Sequence, residues 1–325
     1  MNLSVVVPVY NSEGSLPLLV ERLQPVLSKT ANQFELILVN DGSRDGSWPT
    51  IQQLNSVYPW VRGINLMRNY GQHNALLCGI RAATYEIIVT LDDDLQHPPE
   101  EIPRLLEALT KDYDVVYGKP KEEQHGLWRD TASRITKFAL RAAVGKEMAR
   151  DVSAYRAFRT QLRDAFRNYQ SSFVSIDVLL SWTTTRYSSI QVRHDPRKIG
   201  ASNYNFRKLL RHGMDMLTGL SVLPLQLASL VGFVFTLFGV GVLIYVVARY
   251  FISGGSVPGF PFLASVIAIF SGSQLFALGI IGEYLARIHK RTMDRPIYAI
   301  RTEPESEIDD FKVDPSSHHA QMPMK

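Results

Sequence analysis

Three carboxylates in a row, Asp92, Asp93 and Asp94, close the apolar run in "IIVTLDDDLQHPPEEI". Each raises the pKa of its neighbours, so the cluster calls for a positive partner. If the segment is extended, side chains alternate sides, and Asp92, Asp94 and Gln96 share one face with Asp93 on the other. Three oxygen ligands on one face suit a hard divalent cation, Mg²⁺ or Mn²⁺, which keeps waters and takes its remaining ligands from substrate phosphates. One aspartate ahead of "PPEEIPRLL" could simply favour a helix N-terminus. Three with Gln96 exceed that need.

The elements that must carry this cluster read as α/β. The runs at 3–10, 34–40, 62–67, 86–91 and 113–118 are short, β-rich and apolar on both faces, as strands buried between helix layers are. Between them Leu16, Leu19, Val20, Leu23 and Val26 repeat at helical spacing, as do Ile51, Leu54 and Val57. Pro98 and Pro99 suit the start of a helix over "EEIPRLLEAL". Strands alternating with helices predict a doubly wound, mainly parallel sheet, whose ligands bind beyond the carboxyl ends of the strands. Three polar clusters fall at those ends: "VYNSEG", "NDGSRDGS" and "LDDDLQ". Read alone, Asn11 and Ser12 could cap a helix, and Asp41-Gly42 could merely turn.

The chain of 325 residues has a net charge of +4 and a single cysteine, Cys78, which excludes an intramolecular disulfide and fits a reducing compartment. The N-terminal stretch has no basic segment and too short an apolar run for a signal peptide, so residues 1 to about 200 are expected in the cytoplasm. No charged side chain occurs from Met216 to Ala248 or from Phe251 to Gly282, each long enough to cross a bilayer. Arg207, Lys208 and Arg211 precede the first stretch, and Arg287, Lys290, Arg291 and Arg295 follow the second. The positive-inside rule puts both ends in the cytoplasm. The organisation expected is a catalytic domain over 1–204, an interfacial amphipathic helix over 205–221, membrane helices over 222–250 and 262–285, an external link over 251–261, and a cytoplasmic tail over 286–325.

The segments "VVVPVYNSEGSLPLL", "VNDGSRDGS", "RNYGQHNALLCGIRAA", "LDDDLQHPPEEIPRLLEAL" and "DVVYGKP" together resemble the nucleotide-binding core of family 2 inverting glycosyltransferases with a GT-A fold. With the two C-terminal apolar stretches, the order is similar to that of the polyprenyl-phosphate glycosyltransferases, over nearly the whole chain to about residue 300. The resemblance implies transfer of a sugar from a nucleotide-sugar to the phosphate of a membrane polyprenol. It implies that Asp92, Asp94 and Gln96 hold the metal, with Asp93 near the ribose or sugar. Pro8, Tyr10, Asn11 and Glu13 match the first nucleotide loop, Asp41 the base-binding acid, and Gln72 with Gly71 the segment closing over the nucleotide. Arg129, Ser133 and Arg134 match the acceptor-phosphate site, on a helical pattern whose Arg134, Lys137 and Arg141 otherwise read as a solvated basic face. Arg197, Gly200, Ser202 and Tyr204 match a loop that folds over the donor, with Arg197 on the diphosphate. Asp151 matches an acid ahead of a short strand that orients the acceptor or acts as base. A phosphate nucleophile is already ionised near neutrality, so stabilising the departing diphosphate should matter more than a base.

Glucose from UDP-glucose is the first expectation for the donor, with an aminoarabinose derivative, mannose and GlcNAc as alternatives. A homo-oligomer is expected, and no nucleic-acid partner. A processive polysaccharide synthase would carry a Gln-x-x-Arg-Trp motif, which the sequence lacks; a non-catalytic scaffold should have lost Asp92, Asp94 and Gln96. His73 and His97 have no partner at ligand spacing and are set aside.

Overall fold

The computed structural model describes residues 1–120, 145, 148–171, 174–195, 223–253, 259–293 and 296–302. The first five strands are β1 (Asn2–Val9), β2 (Gln33–Asn40), β3 (Val61–Asn65), β4 (Ile87–Thr90) and β5 (Val115–Pro120). Two more, β6 (Arg156–Arg159) and β7 (Tyr187–Val192), complete a sheet ordered β3-β2-β1-β4-β6-β5-β7. All neighbours pair parallel except at β6, which runs antiparallel to both β4 and β5. The expected doubly wound, mainly parallel sheet is therefore present.

Helices α1 (Leu16–Thr30), α2 (Ser47–Val57), α3 (Gln72–Ala82) and α4 (Ile102–Ala108) separate the first five strands. Alternation along β1 divides the core. Val5, Val7 and Val9 pack with Leu16, Leu19, Leu23 and Ile51 on one face. Val6 packs with Ala75, Leu76 and Ile80 of α3 on the other. This two-residue period, buried on both sides, is why the strand reads as an unbroken apolar run. In α1 the predicted stripe is buried at Leu16, Leu19, Val20, Leu23 and Leu27. In α2 Ile51 and Leu54 are buried, but Val57, the last residue of the helix, is 60% exposed. Among the described residues, three short helices follow: α5 (Met148–Asp151), α6 (Leu162–Ala165) and α7 (Ile176–Thr183).

Two long helices, α8 (Leu223–Ser253) and α9 (Phe260–Thr292), occupy the C-terminal third. Leu225–Arg249 and Ile269–Ala286 are long and apolar enough to cross a membrane, with mean hydropathies of 2.6 and 1.3. They touch through Phe235 and Phe270, edge to face at 5.9 Å. Apolar side chains such as Phe233, Leu237, Ile244 and Leu278 stay exposed. Part of the expected link over 251–261 is helical, since α8 runs through Ser253 and α9 starts at Phe260. The stretch 205–221 and, apart from Gly145, the basic segment 127–146 lie outside the described residues.

α3 can approach the sheet closely because Gly79 faces it. A Cβ there would stand 2.4 Å from Val6 Cγ1 and 3.0 Å from Val39 Cγ2, both side chains of central strands. Gly79→Val should overpack this face and cost about 1–3 kcal/mol. The expected readout is a lower melting temperature of the detergent-solubilised full-length protein.

Candidate active site

β1 pairs with β2 along its whole length but with β4 only from Leu3 to Val6. The chain order reverses between β1 and β4, so their carboxyl ends part and leave a crevice at the switch point. Pro8, the first of the residues matched to the nucleotide loop, lies buried within β1 as the 3–10 run predicts, in register with Val39. Its missing N–H falls beyond the last residue paired to β4, a tolerable place for proline in a central strand.

The loops at the crevice bind one another. Asn11 adopts a left-handed φ of 55°, accepts from Arg44 N through Oδ1 at 2.8 Å, and donates its own N–H to Ser43 Oγ at 3.0 Å. Glu13 accepts from Gly46 N at 3.0 Å. Asp45 accepts from Glu13 N at 3.2 Å and from the Ser47 hydroxyl at 2.6 Å. Burial works against the Asp45 carboxylate, but the Ser47 hydroxyl and backbone N–H groups outweigh it and leave its pKa lowered. Ser43, Asp45 and Ser47 thus tie the first loop to the second, a role that the "NDGSRDGS" motif carries but that was not assigned to individual residues.

Asp41 is 3% exposed and accepts from Tyr70 N at 2.7 Å and Gly71 N at 2.8 Å. Burial pushes its pKa up, and the two N–H groups offset only part of that. Gly42, at φ +62°, backs onto the same loop: a Cβ there would lie 2.5 Å from the Arg68 carbonyl carbon and from Asn69 N, so only glycine fits. Gly71 turns the chain into α3, whose first residue, Gln72, donates Nε2 to Asp92 Oδ1 at 2.7 Å.

The aspartate segment is not extended. It turns at Asp93-Asp94, and Leu95, buried, takes a left-handed φ of 63°. The alternation expected to put Asp92, Asp94 and Gln96 on one face does not apply, because β4 ends at Thr90 and the chain turns at Asp93-Asp94. Asp94 Oδ1 instead accepts from Gln96 N at 3.1 Å. Asp93 Oδ2 accepts from Tyr10 N at 3.2 Å, joining the two sides of the crevice. Burial, more than its neighbour Asp94, pushes the Asp93 carboxyl up. Among the described residues no three His, Cys, Asp or Glu side chains assemble into a metal-binding group. Asp92 and Asp94 still suit a cation that takes one or two carboxylates and fills its shell from water and substrate phosphates.

His97, set aside in the sequence, lies in this site. Its ring is 7% exposed, packed 5.2 Å from Tyr155 and 5.4 Å from His194, with Nδ1 3.8 Å from Asp92 Oδ2 and no hydrogen-bond partner. Burial, then His194 and Arg156, push its pKa down to about 4, so it is neutral. Asp151 ends α5 and pairs with Lys119 of β5 at 2.5 Å. Arg129, Ser133 and Arg134, and the loop residues Arg197, Gly200, Ser202 and Tyr204, lie outside the described residues. The approach to that loop is described: Asp195 N donates to Gln96 O at 3.0 Å, and Arg193 pairs with Asp195 at 3.0 Å.

Residues 4–168 match the family model "Glycosyl transferase family 2". The chain belongs to that family. This glycosyltransferase has the α/β sheet of the GT-A class followed by its two apolar helices. It is 38% identical over 301 residues to the undecaprenyl-phosphate 4-deoxy-4-formamido-L-arabinose transferase of Photorhabdus laumondii, covering 92% of this chain and 93% of that one. The enzyme of the same name from Proteus mirabilis is 37% identical, with 92% of each chain covered. Among solved structures, glucosyl-3-phosphoglycerate synthase from Mycobacterium tuberculosis superposes with a TM-score of 0.48 at 19% identity, covering 67% of this chain and 79% of that one. A likeness that distant carries no assignment of substrate or metal.

Both carboxylate oxygens of Asp41 hold the Tyr70–Gly71 turn, Oδ1 accepting from Tyr70 N and Oδ2 from Gly71 N. Asp41→Ala should remove both bonds. Hydrogen bonds to a charged acceptor are worth about 1.5–3 kcal/mol, so amide exchange in the 67–74 peptide should accelerate roughly tenfold to a hundredfold. Exchange mass spectrometry of wild type and Asp41→Ala at the same pH reads this directly.

Proposed function

We propose that this enzyme transfers a 4-deoxy-4-formamido-L-arabinose unit, or a sugar close to it, from a nucleotide-linked donor to the phosphate of undecaprenyl phosphate, with inversion. The observation that carries this reading is similarity at 36–38% identity along 92% of the chain to transferases of that name, including the C-terminal helices. It favours formamidoarabinose over the glucose first expected. Binding of the donor at the β1/β4 crevice is supported by the loops that meet there: Tyr10, Asn11 and Glu13 on one side, Asp41 and Gln72 on another, Asp92 and Asp93 on the third. A UDP carrier is proposed with it.

In this reading Asp92, Asp94 and Gln96 hold Mg²⁺ or Mn²⁺. When bound, such an ion would supply charge stabilisation to the departing diphosphate. The chain's own groups do the rest. Gln72 fixes one Asp92 oxygen, and neutral His97 packs beside the other without competing as a cation. Arg197, with Gly200, Ser202 and Tyr204, closes over the diphosphate, where a guanidinium makes paired contacts. Arg129, Ser133 and Arg134 hold the acceptor phosphate on the opposite side of the anomeric carbon. Asp151, held by Lys119, orients that phosphate. An already ionised phosphate needs no strong base.

α8 and α9 are proposed to cross the membrane, with the catalytic domain and both charged flanks in the cytoplasm. The exposed apolar faces of the pair support this, since water would meet them at high cost. A crevice facing the bilayer would then bring a soluble donor to a lipid phosphate.

The deciding experiment is a donor screen with purified full-length protein and undecaprenyl phosphate. UDP-linked 4-deoxy-4-formamido-L-arabinose should yield a lipid-linked product of inverted anomeric configuration. Preferred use of UDP-glucose would replace the sugar, and failure to use the lipid would overturn the acceptor. In the same assay, excess EDTA should abolish turnover. Asp94→Asn should lower kcat roughly 100-fold or more without lowering the melting temperature, as loss of several kcal/mol of charge stabilisation requires. Full activity in EDTA would remove the metal from the mechanism.

A further inference from the structure

The chain beyond α9 returns to the catalytic domain, where no sequence pattern placed it. Ile297 is buried against the α3 face of the core, in the cluster that holds Leu66, Ala75 and Cys78. Tyr298 packs on the same face, with Arg81 5.8 Å from its ring and Arg81 Nη1 3.4 Å from its hydroxyl. The backbone then pairs antiparallel with the chain leaving β3. Met67 N donates to Ala299 O at 2.9 Å, Arg301 N donates to Asn65 O at 2.7 Å, and Leu66 bridges Ile300.

Covering an edge strand is one use of such a segment, since β3 is the last strand on that side of the sheet. Its contacts are placed differently. They involve residues 65–67, the last of β3 and the first two of the loop that follows, and leave the rest of β3 without this partner among the described residues. That loop carries Tyr70 and Gly71, whose N–H groups Asp41 accepts, and it ends at Gln72, which grips Asp92. Ile297 and Tyr298 meanwhile brace α3, the helix by which the chain leaves the loop. The returning segment therefore holds both the strand entering the loop and the helix leaving it. Asp41 and Gly42 hold only its middle.

We propose that residues 297–301 are a positioning strap for the donor-side loop 67–72, so that the donor crevice is complete only when the chain beyond the second apolar helix has folded back onto β3. The strap makes no contact with reacting atoms; it sets the loop that Asp41 and Gln72 use. It also ties the apolar helix pair to donor binding through fewer than ten residues, Met293 to Arg301. The proposal rests on the reading that this crevice takes the nucleotide-sugar.

The test uses the full-length protein and steady-state kinetics with the donor and undecaprenyl phosphate varied separately. Arg301→Pro deletes the N–H that Asn65 O accepts. It should raise the donor KM roughly tenfold and leave the lipid KM unchanged. Arg301→Ala keeps that N–H and should restore the wild-type donor KM. Tyr298→Ala should act in the same direction as Arg301→Pro, and Tyr298→Phe, which keeps the packed ring, should act less. Asp41→Asn is measured alongside. If Asp41→Asn raises the donor KM while Arg301→Pro and Tyr298→Ala only lower the melting temperature, the segment is merely structural and the strap is overturned. If Arg301→Pro changes the lipid KM instead, the strap is likewise overturned. If Asp41→Asn itself leaves the donor KM unchanged, the donor-site reading fails and the strap falls with it.

Discussion

A guanidinium buried in the middle of the sheet governs where the active-site turn begins. Arg156 of β6 is 1% exposed, donates Nε to Thr90 Oγ1 at 3.1 Å, and pairs with Asp177 of α7. Burial pushes the Asp177 carboxyl up, and Arg156 pulls it back. Neither charge tolerates loss of the other: breaking such a pair typically costs about 3–5 kcal/mol, because it strands a charge out of water. Thr90 is the last residue of β4 and in turn donates to Ala154 O at 2.8 Å. The pair therefore binds β4, β6 and α7 one residue before "LDDD". The aspartate turn is hung from a fixed point, and a strand running antiparallel to its neighbours supplies that point.

From there the crevice follows from strand geometry. Parallel pairing brings the carboxyl ends of β1, β2 and β4 to one edge, and the early end of the β1–β4 ladder opens that edge. The loops that line it are held by side chains rather than by regular structure. Burial raises the pKa of Asp41 and of Asp93, so the site stores unfavourable negative charge that a bound cation or an ordered N–H would relieve. A fold stabilised only for itself would have neutral residues there.

The apolar helix pair and the catalytic sheet are joined by more than a tether. The segment after α9 spends two backbone hydrogen bonds and a buried isoleucine on β3 and α3. In the proposed function, a membrane crossing and a site for a soluble donor would thereby be parts of one folded unit.

Much of this was legible in the sequence because it is local. Strands β1 to β5, the stripe of α1, the start of α4 after Pro98-Pro99 and the two apolar helices each announce themselves within a window of a few to thirty residues. So did the polar clusters at the strand ends, and with them Asp41 and the aspartates, while Gln72 was reached only through the family resemblance. The rest depends on contacts between distant residues, which periodicity does not record. The insertion of β6 between β4 and β5 joins residues about 70 apart along the chain. The return of Ile297–Arg301 to β3 joins residues more than 230 apart. His97 meets Asp92 only because the segment turns at Leu95 instead of continuing as a strand. Residue types and spacing determined the kind of chemistry and the elements that carry it. Which side chains meet was decided by the tertiary structure, because sheet order and turn direction minimise buried unpaired charge and backbone over the whole domain, and no short stretch of sequence contains that sum.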